Sequence, residues 1–133
     1  MTLKILVDTN IIIDHLRKVP QASRVLTEVE NGSFEGLISV ITVLELRSTR
    51  AMTDERFETV RKLLDIFDVI PVNLPIAQDA GRYVSKYRAS HGLEPVDAII
   101  AATASVNDAA LYTVNYKHFR FIEGLIVVNP YAC

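Results

Sequence analysis

The fold class is indicated by the segment LKILVDTN at residues 3–10. Residues 3–7 form a short, mostly apolar run with β-branched members, and a run of this length suits a strand buried on both faces. The polar triplet Asp8-Thr9-Asn10 that ends the run contains good helix-capping residues, and the apolar residues 11–13 and Leu16 follow. This segment therefore predicts a buried strand, a tight turn and a helix.

Outward from this segment, the sequence continues to alternate helical and strand-like stretches. Apolar stripes with helical spacing follow Pro20, Thr53 and Pro75, and a helix that is apolar on nearly every side begins at Pro95. Residues 41–50 are most simply a helix. The other strand candidates are short apolar runs at residues 37–40, 69–72, 110–114 and 125–128.

Strands that alternate with helices are typical of a parallel sheet with helices on both faces. We therefore predict a three-layer α/β/α architecture with a central, mostly parallel sheet, formed by a single domain over residues 1–133. The strand that contains Pro71 is expected at an edge of the sheet, because proline cannot donate to a strand ladder.

The composition limits the class of protein further. Half of the residues are hydrophobic and the net charge is −2, with a pI near 5.9. This excludes wholesale disorder and argues against a basic nucleic-acid coat, but not against an enzyme with a local basic rim. The single cysteine, Cys133, can form no internal disulfide, and no signal peptide or bilayer-spanning run is evident. We expect a cytoplasmic protein without a membrane partner.

Three acidic residues stand out by their surroundings. Asp8 ends the first strand, and ligands of open α/β sheets bind beyond the carboxyl ends of strands. Glu45 lies within an apolar segment, and Asp97 begins the most apolar helix. A lone buried carboxylate is destabilising by several kcal/mol unless it is paired, protonated or bound to a metal. These acids are therefore candidate metal ligands.

Each of the three acids also has a simple structural explanation. Asp8 can cap the first helix, Asp97 can complement a helix dipole, and Glu45 can face solvent from an amphipathic helix. The functional interpretation requires all three to meet at one end of the sheet. There, mutual repulsion would favour a bound cation, and an oxygen-rich site suits Mg²⁺ or Mn²⁺.

Four blocks of the sequence, taken together, resemble the PIN-domain family, and in particular its VapC-type toxins. They are Asp8-Thr9-Asn10 after the first strand, Glu45, the helix DAIIAATA at residues 97–104, and LYTVN at residues 111–115 with Phe119. Their order and spacing agree with the family over essentially the whole chain.

This resemblance implies a metal-dependent endoribonuclease. It implies that Asp8, Glu45 and Asp97 hold Mg²⁺ or Mn²⁺, and that Asn115 occupies a fourth position where the family usually has Asp. A neutral amide adds no negative charge, which argues against a second ion. The implied partners are an RNA substrate, a cognate antitoxin protein and a second copy of the chain in a homodimer.

Supporting residues are expected around the acids. Thr9 and Thr113 can orient the site through their hydroxyls, and Lys117 and Arg120, which follow Asn115 closely, are candidate phosphate contacts. The histidines show no metal-ligand spacing and are expected at the surface or at helix ends: His15, His91 and His118.

Other functions remain as alternatives. A haloacid-dehalogenase-type phosphatase would need a second Asp where this sequence has Asn10, and the acids and strand-end lysine of a phospho-receiver domain do not line up. A catalytically inactive PIN-like binding or assembly module is disfavoured by the three retained acids. A housekeeping RNA-processing nuclease is also compatible with the sequence.

Overall fold

The computed structural model describes residues 2–132, and the thiol of Cys133 lies outside this range. Residues 2–132 form five strands, six α-helices and two single-turn 3₁₀ helices. In chain order they are β1 (Leu3–Val7), α1 (Thr9–Leu16), α2 (Pro20–Glu30), β2 (Phe34–Ser39), α3 (Val40–Arg47), α4 (Asp54–Leu63), a 3₁₀ turn (Leu64–Ile66), β3 (Asp68–Ile70), α5 (Leu74–His91), α6 (Pro95–Val106), β4 (Ala110–Tyr112), a second 3₁₀ turn (Tyr116–His118) and β5 (Val127–Val128).

The strands form one sheet in the order β3-β2-β1-β4-β5, and every neighbouring pair is parallel. This confirms the predicted α/β class, with a sheet that is parallel throughout. The chain moves from β1 to β2 and β3 on one side and then returns to add β4 and β5 on the other. The strand order thus reverses between β1 and β4, which is where α/β sheets form ligand-binding crevices.

Two apolar cores lie on opposite faces of the sheet, because successive strand residues point to opposite sides. Leu6 and Leu111 belong to the core that also contains the buried residues of α5 and α6. Ile5, Val7 and Ile38 belong to the second core, with buried residues of α1, α2 and α4. The predicted three-layer architecture is therefore present.

Helix α6 lies at the centre of the fold, as its apolar sequence predicts. It contacts α3, α5 and the strands β1, β2 and β4. Its buried alanines, which include Ala98, Ala101 and Ala102, present little side-chain volume to these neighbours. No helix within residues 2–132 is both long and apolar enough to cross a membrane.

Several element boundaries differ from those predicted. Strand β2 starts at Phe34 and ends at Ser39, because the Ser39 hydroxyl accepts a hydrogen bond from the Ile41 amide and starts α3 at Val40. In β1 only the last three residues are buried, and Leu3 is 53% exposed. The edge position of β3 is confirmed, although the strand ends before the proline.

Three other predicted segments are shorter in the structure. Helix α3 ends three residues earlier than predicted, β4 ends two residues earlier, and β5 begins two residues later. Beyond β4, the Thr113 amide still donates to the Val128 carbonyl at 3.0 Å. The chain therefore stays close to β5 while it leaves the regular ladder, which brings the residues after β4 towards the end of β1.

Candidate active site

Asp8 lies at the carboxyl end of β1, where the strand order reverses. Its side chain is buried and caps α1 by accepting a hydrogen bond from the Thr9 amide at 2.8 Å. The other carboxylate oxygen accepts from the Thr113 hydroxyl at 2.8 Å and from the Asn10 amide at 3.3 Å. The capping explanation of Asp8 is thus correct, and the same carboxylate also binds Thr113, which lies 105 positions away in the chain.

The environment of Asp8 disfavours its charged form. The pKa of the Asp8 carboxyl is raised from 3.8 to about 6, mainly by burial and to a smaller extent by the nearby charges of Asp97 and Glu45. The hydrogen bonds from Thr113 and Thr9 oppose this shift in part. A carboxylate with these properties gains stability from a nearby positive charge.

Glu45 lies on α3, half-buried, and its carboxylate contacts the start of α1. The Thr9 hydroxyl oxygen is 2.6 Å from Glu45 Oε1 and 3.0 Å from the Thr42 hydroxyl oxygen. Because a hydroxyl has one proton and a carboxylate only accepts, Thr9 donates to Glu45 and accepts from Thr42. Glu45 is therefore held through Oε1 by a buried hydroxyl pair, while part of its side chain remains accessible to solvent.

Asp97 lies in the first turn of α6 and is half-buried. Burial is the main effect that raises the pKa of the Asp97 carboxyl, and the charges of Glu45 and Glu94 act in the same direction. The charge of His118 opposes this shift. His118 Nδ1 lies 3.8 Å from Asp97 Oδ2. This proximity was not predictable from the sequence, because His118 belongs to an exposed turn that no periodic pattern connects to α6.

The three acids are close enough to affect one another's charge. Asp97 and Glu45 both raise the pKa of Asp8, and Glu45 raises that of Asp97. Among the described residues, no lysine or arginine forms an ion pair with any of them. These three acids, which we call the acidic cluster, thus interact through their charges and lack a compensating lysine or arginine from residues 2–132.

The residues present fit a hydrated, hard divalent cation. Among residues 2–132, no group of three or more acidic, histidine or cysteine side chains is arranged so that it could hold a metal ion. Mg²⁺ does not need such a group, because it keeps several waters and is held through one or two carboxylates. Beside Asp8, the buried Asn10 Oδ1 has no hydrogen-bond partner in the part of the chain that the structure describes. An ordered water in the shell of such a cation would satisfy that oxygen.

The remaining predicted residues follow Thr113, the residue whose hydroxyl donates to Asp8. The Asn115 backbone amide donates to the Thr113 hydroxyl oxygen at 3.0 Å, so Thr113 connects Asn115 to Asp8. Asn115, Lys117 and Arg120 line an open cleft of about 530 Å³. Neither Lys117 nor Arg120 pairs with an acid of residues 2–132, so both cations are available to a ligand.

Comparisons with known proteins identify the family of this chain. A model of the family described as "PIN domain" matches residues 5–123. Ribonuclease VapC19 of Mycobacterium tuberculosis is 38% identical over 124 residues, which cover 90% of this chain and 95% of the relative. Among solved structures, a toxin–antitoxin complex from Klebsiella pneumoniae contains a chain that is 32% identical, with a TM-score of 0.73. The match covers 97% of this chain and 99% of that chain.

A more distant solved structure supports the fold alone. The DNA-bound VapBC of Salmonella typhimurium contains a chain that is 22% identical, with a TM-score of 0.79 over 97% of this chain and 99% of that one. The family match covers far more than half of the sequence, and the match to the relative from M. tuberculosis covers most of both chains. The chain therefore belongs to the PIN domain family.

Proposed function

We propose that this chain is a metal-dependent endoribonuclease that consists of one PIN domain over residues 1–133. The proposal is supported by the charge interaction among Asp8, Glu45 and Asp97, of which Asp8 lies where the strand order reverses, and by the absence of a lysine or arginine of residues 2–132 that pairs with them. The matched relative is itself named a ribonuclease, which supports the same activity here.

Mg²⁺ or Mn²⁺ is the proposed ion, because all the available donors are hard oxygens. Asp8, Asp97 and Glu45 would hold it, directly or through water. When bound there, the cation supplies stabilisation of phosphate oxygens and activation of water for in-line attack. Asn115 adds a neutral oxygen at the rim. Cleavage of this kind leaves 5′-phosphate and 3′-hydroxyl ends, as the family resemblance implies.

The chain's own residues prepare the site for this ion. Thr113 and Thr9 orient the carboxylates of Asp8 and Glu45 through the hydrogen bonds described above. Lys117 and Arg120 would hold phosphates next to the scissile one, which offsets the repulsion between the acidic cluster and an RNA backbone.

The test is cleavage of RNA by purified protein. Asp97→Asn and Asp8→Ala should each lower the rate on the order of 1000-fold, because a metal supplies several kcal/mol of transition-state stabilisation. Asp68→Asn is the matched control, since Asp68 is an exposed acid on the edge strand β3. Chelation should stop cleavage by the wild type. Full activity in a folded Asp97→Asn variant would refute the assignment.

We also propose that the chain is the toxin of a toxin–antitoxin pair, acting in the cytoplasm as a homodimer with a cognate antitoxin as its partner. The support is the matched relative, which is named a VapC ribonuclease, and the solved toxin–antitoxin complex. Induced expression should arrest growth, and co-expression of the neighbouring gene product should relieve the arrest. A housekeeping nuclease would cleave RNA without this effect, and an inactive binding module would show no chelator-sensitive cleavage.

A further inference from the structure

The cleft beside the acidic cluster has the features of a nucleotide site. Its volume of about 530 Å³ lies within the range of small-ligand pockets. Two of its lining residues connect the cleft to the acids. His118 Nδ1 lies 3.8 Å from Asp97 Oδ2, and the Asn115 backbone amide donates to the Thr113 hydroxyl oxygen, which in turn donates to Asp8. None of the three acids lines the cleft, so a ligand in it would lie beside the proposed catalytic site.

The lining of the cleft includes an aromatic ring on a fixed turn. Tyr116 is 41% exposed. The turn is anchored by Phe119, which is fully buried, and is closed by hydrogen bonds from the Arg120 amide to the Tyr116 carbonyl at 3.0 Å and from the His118 amide to the Asn115 carbonyl at 2.9 Å. An exposed ring on a rigid support offers a stacking surface with little loss of side-chain freedom.

The lining also includes an oriented hydrogen-bond donor. The Asn129 side-chain oxygen accepts from the Tyr131 amide at 3.0 Å, so its NH₂ group is fixed in direction. That NH₂ group has no acceptor within residues 2–132. The Tyr131 hydroxyl donates to Asp14 at 2.9 Å, which attaches this part of the chain to α1.

We propose that this cleft binds the nucleotide next to the scissile phosphate with its base unpaired. The base would stack on Tyr116, the Asn129 amide would donate to its edge, and Lys117 or Arg120 would hold its phosphate. Stacking on a protein aromatic ring requires a base that is free of a duplex. The inference rests on the proposed nuclease function and adds Tyr116 and Asn129 as residues that select single-stranded RNA.

The charge of the lining favours a nucleotide over a peptide. The lining residues include Lys117, Arg120 and the two asparagine side chains, and none of them is acidic. Two cations and several donors suit phosphate and base oxygens, whereas a peptide has a neutral backbone with as many donors as acceptors.

The first experiment measures binding with ligands that cannot be cleaved. Adenosine 5′-monophosphate and ribose 5-phosphate are titrated into metal-free protein and followed by NMR. The adenine protons should shift upfield with the wild type and with Tyr116→Phe, which keeps the ring, but not with Tyr116→Ala. Ribose 5-phosphate should bind equally to all three proteins and more weakly to Lys117→Ala or Arg120→Ala.

The second experiment uses a fluorescent hexaribonucleotide of mixed sequence in the presence of chelator. Tyr116→Ala should weaken binding roughly ten-fold, and Tyr116→Phe should retain it. Asn129→Ala should also weaken binding, and annealing the probe to its complement should remove the dependence on Tyr116. Thermal unfolding confirms that each variant is folded.

The outcomes separate this inference from the proposed nuclease. If the wild type cleaves RNA but Tyr116→Ala binds it as well as the wild type, the nucleotide site is refuted and the nuclease stands. If binding depends on Tyr116 but no RNA is cleaved, the nuclease is refuted, and the cleft is a nucleotide-binding site with no scissile phosphate beside it. Equal affinity for single and double strands, or binding of peptides without any nucleotide shift, would overturn the inference.

Discussion

Asp8 combines a structural and a chemical role in one carboxylate. Its oxygens cap α1 and accept from Thr113 and Asn10, yet its burial raises the free energy of ionising it. The protein thus keeps an acid in a place where the charged form is disfavoured in the absence of a cation. A side chain that is destabilised as an ion but fully supported by hydrogen bonds is typical of a binding site, and its effect on stability is measurable.

The first prediction concerns Asp8→Asn in metal-free protein. The folded pKa of about 6 lies above the ordinary value of 3.8, so the unfolded chain releases this proton first as the pH rises. The wild type should therefore lose stability between about pH 4 and pH 6, and the neutral Asn should avoid that loss. At pH 7 we expect the free energy of unfolding of Asp8→Asn to exceed that of the wild type by about 1–3 kcal/mol. Near pH 3 the two proteins should be equally stable. Urea titration measures both values.

The Asn side chain can keep the local hydrogen bonds, which makes the comparison a fair one. Its oxygen can accept from the Thr9 amide, and its NH₂ group can donate to the Thr113 hydroxyl or to Asn10 after an amide flip. Asp68→Asn is the control and should change stability little at any pH. A destabilised Asp8→Asn at pH 7 would contradict the proposed penalty for the charge.

The second prediction concerns Thr113→Val, which removes the hydroxyl but nearly preserves the shape. Thr113 is fully buried, and its hydroxyl is the largest of the effects that lower the pKa of Asp8. Without it, the pKa of Asp8 should rise further, and RNA cleavage should fall about 10–100-fold, the usual effect of losing a group that orients a metal ligand. The pH profile of cleavage should move to higher pH, and Thr113→Ser should restore both. An unchanged profile would contradict this role.

At the scale of elements, most of the fold was predictable because each strand and helix carries its own signal. Pro20, Thr53 and Pro75 mark helix starts in the structure as they do in the sequence. Gly92 ends α5 with φ of +68°, a backbone conformation that favours glycine. The limits of β4 and β5 were not predictable, because their apolar runs continue into loop residues whose burial depends on tertiary contacts.

The parts of the site that were not predictable lie on turns. His118, Tyr116 and Asn129 follow strands β4 and β5 in irregular segments, where hydrophobic periodicity is absent. His118 lies near Asp97 because, after α6, the chain adds β4 on the side of β1 opposite to β2. This crossover is a tertiary feature that local sequence patterns do not indicate. The acids Asp8 and Asp97 could be identified because each lies at the end or the beginning of an apolar element.

The third prediction compares two glycines in different elements. A Cβ on Gly36 of β2 would lie 2.5 Å from Val29 and 2.9 Å from Phe67, whereas one on Gly81 of α5 would meet nothing within 4 Å. Gly36→Ala should therefore destabilise the protein by about 1–3 kcal/mol, the usual effect of overpacking. Gly81→Ala should stabilise it by up to about 1 kcal/mol through helix propensity. Urea unfolding tests both, and equal effects would contradict the packing of α2 against β2.

At the scale of the whole molecule, opposite charges are separated around one crevice. The net charge is only −2, but the charge is unevenly distributed: three acids interact with one another, and the nearby cleft is lined by Lys117 and Arg120. A polyanion could not approach the acids alone, but a cation bound there would join the two regions into one positive surface for phosphates. Metal binding at these acids would therefore be coupled to the stability of the fold, because the acids belong to three distant parts of the chain.

The last prediction follows from this coupling. An ion that binds only the folded chain stabilises it by about 2.7 kcal/mol at a concentration 100 times its dissociation constant, so Mn²⁺ or Mg²⁺ should raise the unfolding temperature of the wild type. Asp8→Asn should lose most of this response, although it is the more stable protein without metal. Because Asp8 must release its proton to bind the ion, affinity should weaken as the pH falls below about 6, approaching ten-fold for each pH unit. Calorimetric titration at several pH values measures the released proton. An ion response that is equal in wild type and Asp8→Asn would mean that the cation binds elsewhere, and the acids at the end of β1 would not be its site.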